Sequence, residues 1–224
     1  GDSLERMVFF MQVNFNGKTA IVTGAAHGIG RCITHTLASL GATVWACDII
    51  EDKVRETAET ATPSDGAEVK SRAVDITKKP QVTKLVSDVK AHTGRVDILI
   101  CVAGGVSGQS GQPIENVTEE QWQAINEVNL KGTFLCSQAV IPYMKESGRG
   151  RILVISSGAG LGVSRTGIQA YAAAKAGQIG LVRQLAHELG PFGINVNSVA
   201  PGFVRSNPVT EKQWLAMGVK VNVR

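Results

Sequence analysis

The sequence is short of the residues that announce metal, redox or extracellular chemistry. Its four cysteines, Cys32, Cys47, Cys101 and Cys136, stand far apart, with no C-x-x-C pair among them. They read as buried, reduced thiols of a cytoplasmic protein rather than as a disulfide framework. The four histidines are equally dispersed, which excludes a metal site built on ligand spacing. Aromatics make up 5% of the chain and the net charge of +4 is scattered. Without a basic stripe interleaved with aromatics, nucleic acid is excluded as a partner. No apolar run approaches the roughly 18–20 residues that a membrane-spanning helix needs.

What is plentiful is glycine, at 25 of 224 residues, a sign of tight turns and close backbone approaches. Hydrophobic content of 43% and charged content of 19% are those of a globular chain with a sizeable core. The length suits one medium domain. Residues 1–11 read as a non-native remnant or an alternative start, since Met7 and Met11 could each begin translation. Residues 12–206 form the domain, and 207–224 read as the start of a substrate lid or a frayed tail. "NVT" at 116–118 matches a glycosylation acceptor, but Thr118 with Gln121 fits a helix capping box better.

From residue 18 onward, strands and helices alternate. Apolar strands are expected in "KTAIVTG", "ATVWACDI", "AEVKSRAVD", "RVDILICVAG", "RILVIS" and "GINVNSVAPG". Helices are expected over 28–40, 51–61, 78–93 (capped by Thr77), 118–146 and 169–190. Strands apolar on both faces and alternating with helices call for a parallel sheet covered on each side. Right-handed crossovers then favour an α/β doubly wound domain of Rossmann type.

The first strand runs into "TGAAHGIG". Gly24, Gly28 and Gly30 there let the backbone turn sharply and approach a pyrophosphate at the helix N-terminus. The spacing is G-x-x-x-G-x-G rather than the commoner G-x-G-x-x-G. Asp48 ends the second strand, 18 residues beyond Gly30. A carboxylate there can accept from both adenosine ribose hydroxyls and repels a 2′-phosphate, which favours NAD over NADP. A solvent-facing aspartate at a strand end is the plainer reading. Arg31 could approach a 2′-phosphate, but it reads as a helix-surface residue.

Further on, "YAAAK" sets Tyr171 and Lys175 one helical turn apart on one face. Alone, the pair fits an ordinary helix surface. With "TGAAHGIG", "VDIT" at 74–77, "NEVNLKGTF" at 126–134, "VISSGAG" at 154–160 and "VNSVAPG" at 196–202, it resembles the short-chain dehydrogenase/reductase family. The resemblance runs from residue 16 to about 206, in matching order and spacing.

The resemblance implies a single Rossmann-fold domain of strand order 3-2-1-4-5-6 and four catalytic residues. Tyr171 would be the acid in reduction and the base in oxidation. Lys175, with the oxidised nicotinamide, would lower the phenol's pKa from its usual value of about 10 and hold the nicotinamide ribose. Ser157 would steady the developing charge on the carbonyl oxygen, with Ser156 beside it as a rival. Asn129 would hold a water linking Lys175 to solvent, or else simply tie a buried helix. Gly24, His27, Ile29, Gly30, Asp48, Asp75, Ile76, Ala103 and Gly104 would line NAD(H), with Asp75 meeting the adenine amino group. Pro201, Gly202, Val204 and Ser206 would approach the nicotinamide.

Two departures stand out. The Asn-Asn-Ala-Gly frequent after the fourth strand is here Cys101-Val102-Ala103-Gly104, which touches local stability more than chemistry. The sequence also lacks the family's seventh strand, so that it reads as incomplete or destabilised. The resemblance implies an NAD-dependent oxidoreductase acting on a secondary alcohol or ketone: a polyol, sugar, hydroxy acid or 3-oxoacyl compound. It also implies a homo-oligomer, dimer or tetramer, assembled through the long helices. An NAD-binding protein without turnover, serving as a redox-responsive or structural partner, is the alternative. Dehydrase-like or epimerase chemistry on the same fold is a third.

Overall fold

The computed structural model describes residues 13–64, 66–206, 210–212 and 215. The expected remnant at 1–11 and most of the segment 207–224, Trp214 and Met217 included, lie outside the described residues. Six strands form one parallel sheet in the order β3-β2-β1-β4-β5-β6. They are β1 Thr19–Thr23, β2 Thr43–Asp48, β3 Val69–Ala73, β4 Ile98–Cys101, β5 Gly150–Ile155 and β6 Ile194–Val199. The helices are α1 Gly28–Ser39, α2 Glu51–Glu59, α3 Lys79–Thr93, α4 Glu119–Asn126, α5 Gly132–Ser147 and α6 Gln169–Leu189.

The order reverses direction at β1, which pairs with β2 on one side and β4 on the other. At such a switch point the loops beyond the strands' C-terminal ends part, and a crevice opens. All residues of β1 and β4 are buried, as strands covered on both faces must be. One core layer joins Leu37 and Ala38 of α1 and Val54 of α2 to Val22, Val44 and Ile100. The opposite layer joins Leu85 of α3, Leu135 of α5 and Val182 of α6 to Ile21, Leu99 and Val154. The expectation of strands apolar on both faces fails for β3. "VKSRA" is an edge strand, only half buried or exposed along its length.

Other expectations are corrected locally. The helix expected across 118–146 is divided: Glu127–Lys131 forms a π-helical turn between α4 and α5. Thr77 does not cap α3. Its hydroxyl and amide both donate to Asp75 Oδ1, at 2.7 and 2.9 Å, and Lys78 occupies the N-cap without a side-chain bond. Cys32 is exposed, whereas Cys47, Cys101 and Cys136 are buried. The capping box at Thr118 is formed, with Thr118 and Gln121 exchanging side chain-to-backbone bonds.

Candidate active site

The β1–α1 turn is shaped by what cannot be added to it. A Cβ on Gly30 would lie 2.0 Å from the Gly24 carbonyl oxygen, and one on Gly24 would lie 2.6 Å from the Ala103 nitrogen. Gly24 and Gly28 also adopt positive φ, at 66° and 54°, conformations that suit glycine. The turn therefore packs flush on the β4 loop at Ala103, and a Cβ on Gly28 would lie 3.0 Å from the Ser206 carbonyl oxygen. His27 takes the N-cap of α1 with extended backbone and no side-chain cap. The amides of the first turn, together with the helix dipole, suit an anion such as a pyrophosphate.

Asp48, at the end of β2, ties this turn to the next loop. Its Oδ2 accepts from the Ala26 amide and its Oδ1 from the Ile50 amide, each at 3.0 Å. Each oxygen keeps lone-pair capacity for a ribose hydroxyl. Arg31 is not the helix-surface residue expected. Its guanidinium pairs with Glu56 at 3.0 Å and donates to the Thr57 hydroxyl at 2.9 Å and the Ala26 carbonyl at 2.8 Å. Thr57, fully buried, also reaches the Ala25 carbonyl at 2.8 Å. Asp75 is engaged with Thr77, and those bonds hold its carboxyl below the ordinary range although burial pulls the other way. Ile76 packs under α5, where a Cβ on Gly132 would lie 2.4 Å from its Cδ1.

Across the crevice, four expected residues converge from three elements. Tyr171 and Lys175 come from the first two turns of α6, Ser157 from the end of β5, and Asn129 from the π-helical turn. Lys175 is buried at 3% exposure, with its Nζ donating to the Ile155 carbonyl at 2.8 Å and lying 5.4 Å from the Tyr171 ring centroid. The Ser157 hydroxyl lies near enough to the Tyr171 phenol to favour its ionised form, and its Oγ accepts from the Ala159 amide at 3.2 Å. The neighbouring hydroxyls thus divide their work. Ser156 is buried and donates to the Lys175 carbonyl at 3.0 Å, so it holds the helix, while Ser157 faces the phenol.

Burial dominates the electrostatics here. Desolvation pushes the Tyr171 phenol above its usual value, opposed by the Ser157 hydrogen bond, because a donor to the phenolate oxygen favours the ionised form. Desolvation also pushes the Lys175 ammonium down to about 8. In the protein alone, Lys175 does not offset this rise in the phenol. The amine that would supply the positive field is itself destabilised as a cation by the same dry surroundings.

Asn129 is fully buried and its side chain is committed. Its amide donates to the carbonyls of Gly105 and Ile125, at 2.9 and 2.8 Å, and its Oδ1 accepts from the Gly105 amide at 3.1 Å. Its own carbonyl accepts from the Thr133 hydroxyl at 2.7 Å and from Gln178 at 2.6 Å. The side chain thus pins the β4 loop to the π turn, and nothing in the sequence marked Gln178 as part of this centre. Gly104 belongs to it as well, since a Cβ there would lie 2.3 Å from Asn129 Oδ1. Pro201 is half-buried and Val204 exposed, with the Pro201 carbonyl accepting from Gly158 at 2.9 Å. Ser206 lies beside Gly28, so this segment closes over the glycine turn.

Residues 18–215 match the family model of the short chain dehydrogenases. The chain belongs to this family. It is 38% identical over 200 residues to the 3-oxoacyl-(acyl-carrier-protein) reductase of Thermotoga maritima, a match covering 89% of this chain and 79% of that one. It is 38% identical over 209 residues to the (3R)-3-hydroxyacyl-CoA dehydrogenase of Mus musculus, covering 90% and 79%. The solved structure of NAD+-bound xylitol dehydrogenase superposes with a TM-score of 0.84 at 27% identity, covering 90% of this chain and 76% of that one. The protein is thus a short-chain dehydrogenase-type oxidoreductase, of a family that binds a nicotinamide cofactor. Among the described residues, no cluster of side chains suits a metal ion and no helix is long and apolar enough to cross a membrane.

Proposed function

We propose that the protein is an NAD-dependent dehydrogenase interconverting a secondary alcohol and its ketone, with Tyr171, Lys175, Ser157 and Asn129 as its catalytic set. The observation that carries this reading is the placement of Lys175 Nζ 5.4 Å from the Tyr171 ring centroid, with Ser157 brought beside the same side chain from a different element. When bound, the nicotinamide supplies or accepts the hydride. Tyr171 gives its phenolic proton to the carbonyl oxygen in reduction and takes the alcohol's proton in oxidation. Ser157 accepts a backbone amide, so its one proton is free to turn from the phenol to the reacting oxygen and steady charge there when substrate is bound. Lys175 has donors beyond the one given to Ile155 for ribose hydroxyls, and Asn129 fixes the β4 loop that faces them.

NAD rather than NADP is supported by Asp48 and by the engagement of Arg31 with Glu56, Thr57 and Ala26. Arg31 is occupied by these partners, and the Asp48 carboxylate would repel a 2′-phosphate. Gly24, His27, Ile29, Gly30, Ala103, Gly104 and Ile76 would surround the adenosine and pyrophosphate, with Pro201, Gly202, Val204 and Ser206 over the nicotinamide. The engagement of Asp75 with Thr77 leaves its carboxylate able to accept from an adenine amino group. The exposed Trp122 and Phe134, which line a groove with Leu130 on the outer face of α4 and α5, support assembly into a homo-oligomer through that face.

Titration of NADH and NADPH against the parent and Asp48→Ala tests the cofactor. Tighter NADH binding is expected in the parent, with the preference narrowed in the variant; an unchanged ratio would sink the assignment. A screen of NAD+ reduction over 3-hydroxyacyl-CoA thioesters, polyols and hydroxy acids then names the substrate. A protein that binds NADH tightly and turns over none of them would favour the non-catalytic reading.

A further inference from the structure

Two loops meet at the start of α6: 105–113 after β4, and 161–168 before the helix. They are far apart in sequence and stitched together in space. Gln109 is fully buried, which is rare for a glutamine side chain. Its amide donates to the Gly167 carbonyl at 2.9 Å and to Gln169 Oε1 at 3.0 Å. Gln169 in turn donates to the Gln112 carbonyl at 2.8 Å, and the Gly111 amide donates to the Thr166 carbonyl at 2.8 Å. The loops are in contact as well as bonded. Gly167 has a φ of 58°, and a Cβ on it would sit 3.0 Å from the Gln112 nitrogen.

The far end of this clasp is the start of α6. Gln169 is the helix's first residue, two positions before Tyr171, and the helix N-cap, Ile168, makes no side-chain cap bond. First-turn donors without a cap leave a helix end free to fray. Here a side chain from another loop supplies the missing restraint.

We propose that Gln109, acting through Gln169, is a positioning residue that fixes the first turn of α6 and with it the phenol of Tyr171. This rests on the reading of Tyr171 as the acid/base. A buried amide that grips a loop carbonyl and a helix-start side chain at once is suited to that work. Both partners lie within four residues of the phenol, and neither touches the cofactor turn. The clasp thus sets the geometry of proton transfer and leaves cofactor affinity to the other side of the crevice.

The test uses Gln109→Leu, which keeps the bulk and removes the donor, and Gln109→Glu. With the substrate identified by the screen, Gln109→Leu is expected to bind NADH as the parent does and to lose about 10²-fold in kcat, the scale of a small misplacement of a reacting group. In Gln109→Glu, a protonated carboxyl can still donate to the Gly167 carbonyl and an ionised one cannot. Its kcat for oxidation is therefore expected to fall with rising pH where the parent's rises.

A second readout needs no substrate. The chain has two tyrosines, so in a Tyr143→Phe background Tyr171 is its only phenol, and the near-ultraviolet absorbance of phenolate reports it alone. Freeing the first turn of α6 should wet the phenol and bring its raised pKa back toward the ordinary value. Parental kcat together with a parental phenol titration in Gln109→Leu would overturn the proposal. So would a lower melting temperature with the phenol titration unmoved, since that marks a purely structural clasp. If the parent turns over no substrate, the functional reading fails on its own, and the titration still decides the clasp.

Discussion

The two sides of the crevice are built by different means. On the β1–α1 side, the shape comes from backbone: glycines packed where a Cβ would lie 2.0–2.6 Å from neighbouring main-chain atoms, with Asp48 and Thr57 gripping Ala25 and Ala26. On the α6 side, the shape comes from buried polar side chains, Asn129, Ser156, Lys175 and Gln109, each bonded to a segment distant in the chain. The first side can tolerate little substitution because no room exists. The second can be substituted without a clash, yet each change leaves a buried carbonyl or amide unpaired, which costs about 1–3 kcal/mol. Binding and chemistry should therefore fail separately, and three substitutions test whether they do.

The largest effect is expected from Tyr171→Phe, which breaks only the second side. It removes one hydroxyl and leaves the ring packed on the cluster of Ile125, Ala170 and Ala174. Turnover should fall by about 10²–10⁴-fold, the usual worth of a proton-transfer group, while NADH affinity stays parental. In the parent, oxidation needs the phenolate and the phenol's pKa is raised by burial. The kcat for oxidation should therefore climb with pH through the neutral range, whereas reduction, which uses the phenol, should not gain. A pH–rate series in both directions checks the sign. Near-parental kcat in the variant would remove Tyr171 from the chemistry.

Gly30→Ala breaks only the first side. Its methyl would have to displace the Gly24 carbonyl from 2.0 Å, and forcing a group into packed space costs about 1–3 kcal/mol. NADH affinity is expected to fall accordingly by calorimetry. In the Tyr143→Phe background, the Tyr171 titration should not move, because none of the bonds described on the α6 side involves this turn. A coupled shift in that titration would show that the two sides are one mechanical unit.

The same contrast explains what was legible beforehand. Constraint by backbone leaves glycine in the sequence, so "TGAAHGIG" announced both its turn and its place after a strand. Alternating apolar strands and helices carried the parallel sheet and its helix layers, and the family resemblance carried the strand order. The spacing of Tyr171 and Lys175 survived because both leave one helix face. Networks between distant segments leave no local mark. The π-helical turn at Glu127–Lys131 falls inside a continuous helical pattern, and Asn129 on it bonds to Gly105, 24 positions away. Thr77 looked like a cap, yet Asp75 two residues earlier claimed its hydroxyl. The helix over 51–61 was expected, but not that Thr57 on it would reach under the glycine turn. Arg31 was read as surface because its partners, Glu56 and Thr57, are set by how α2 lies against α1.

Thr57 provides the smallest and finest test of the comparison. It is the one side chain of α2 that meets the Ala25 carbonyl of the glycine turn, at 2.8 Å, and it also accepts from Arg31 Nε at 2.9 Å. Thr57→Val keeps the branched shape and removes the hydroxyl, so no cavity or clash is introduced. The Ala25 carbonyl and Arg31 Nε then both lose this partner, and leaving buried groups unpaired costs about 1–3 kcal/mol. Chemical denaturation should show a loss of about that size. NADH affinity should weaken slightly, because the turn that meets the pyrophosphate is held by one bond fewer, while kcat at saturating cofactor stays parental. If kcat fell instead while NADH affinity held, Thr57 would be acting on the far side of the crevice. The division between a backbone-built binding side and a side-chain-built chemical side would then be wrong.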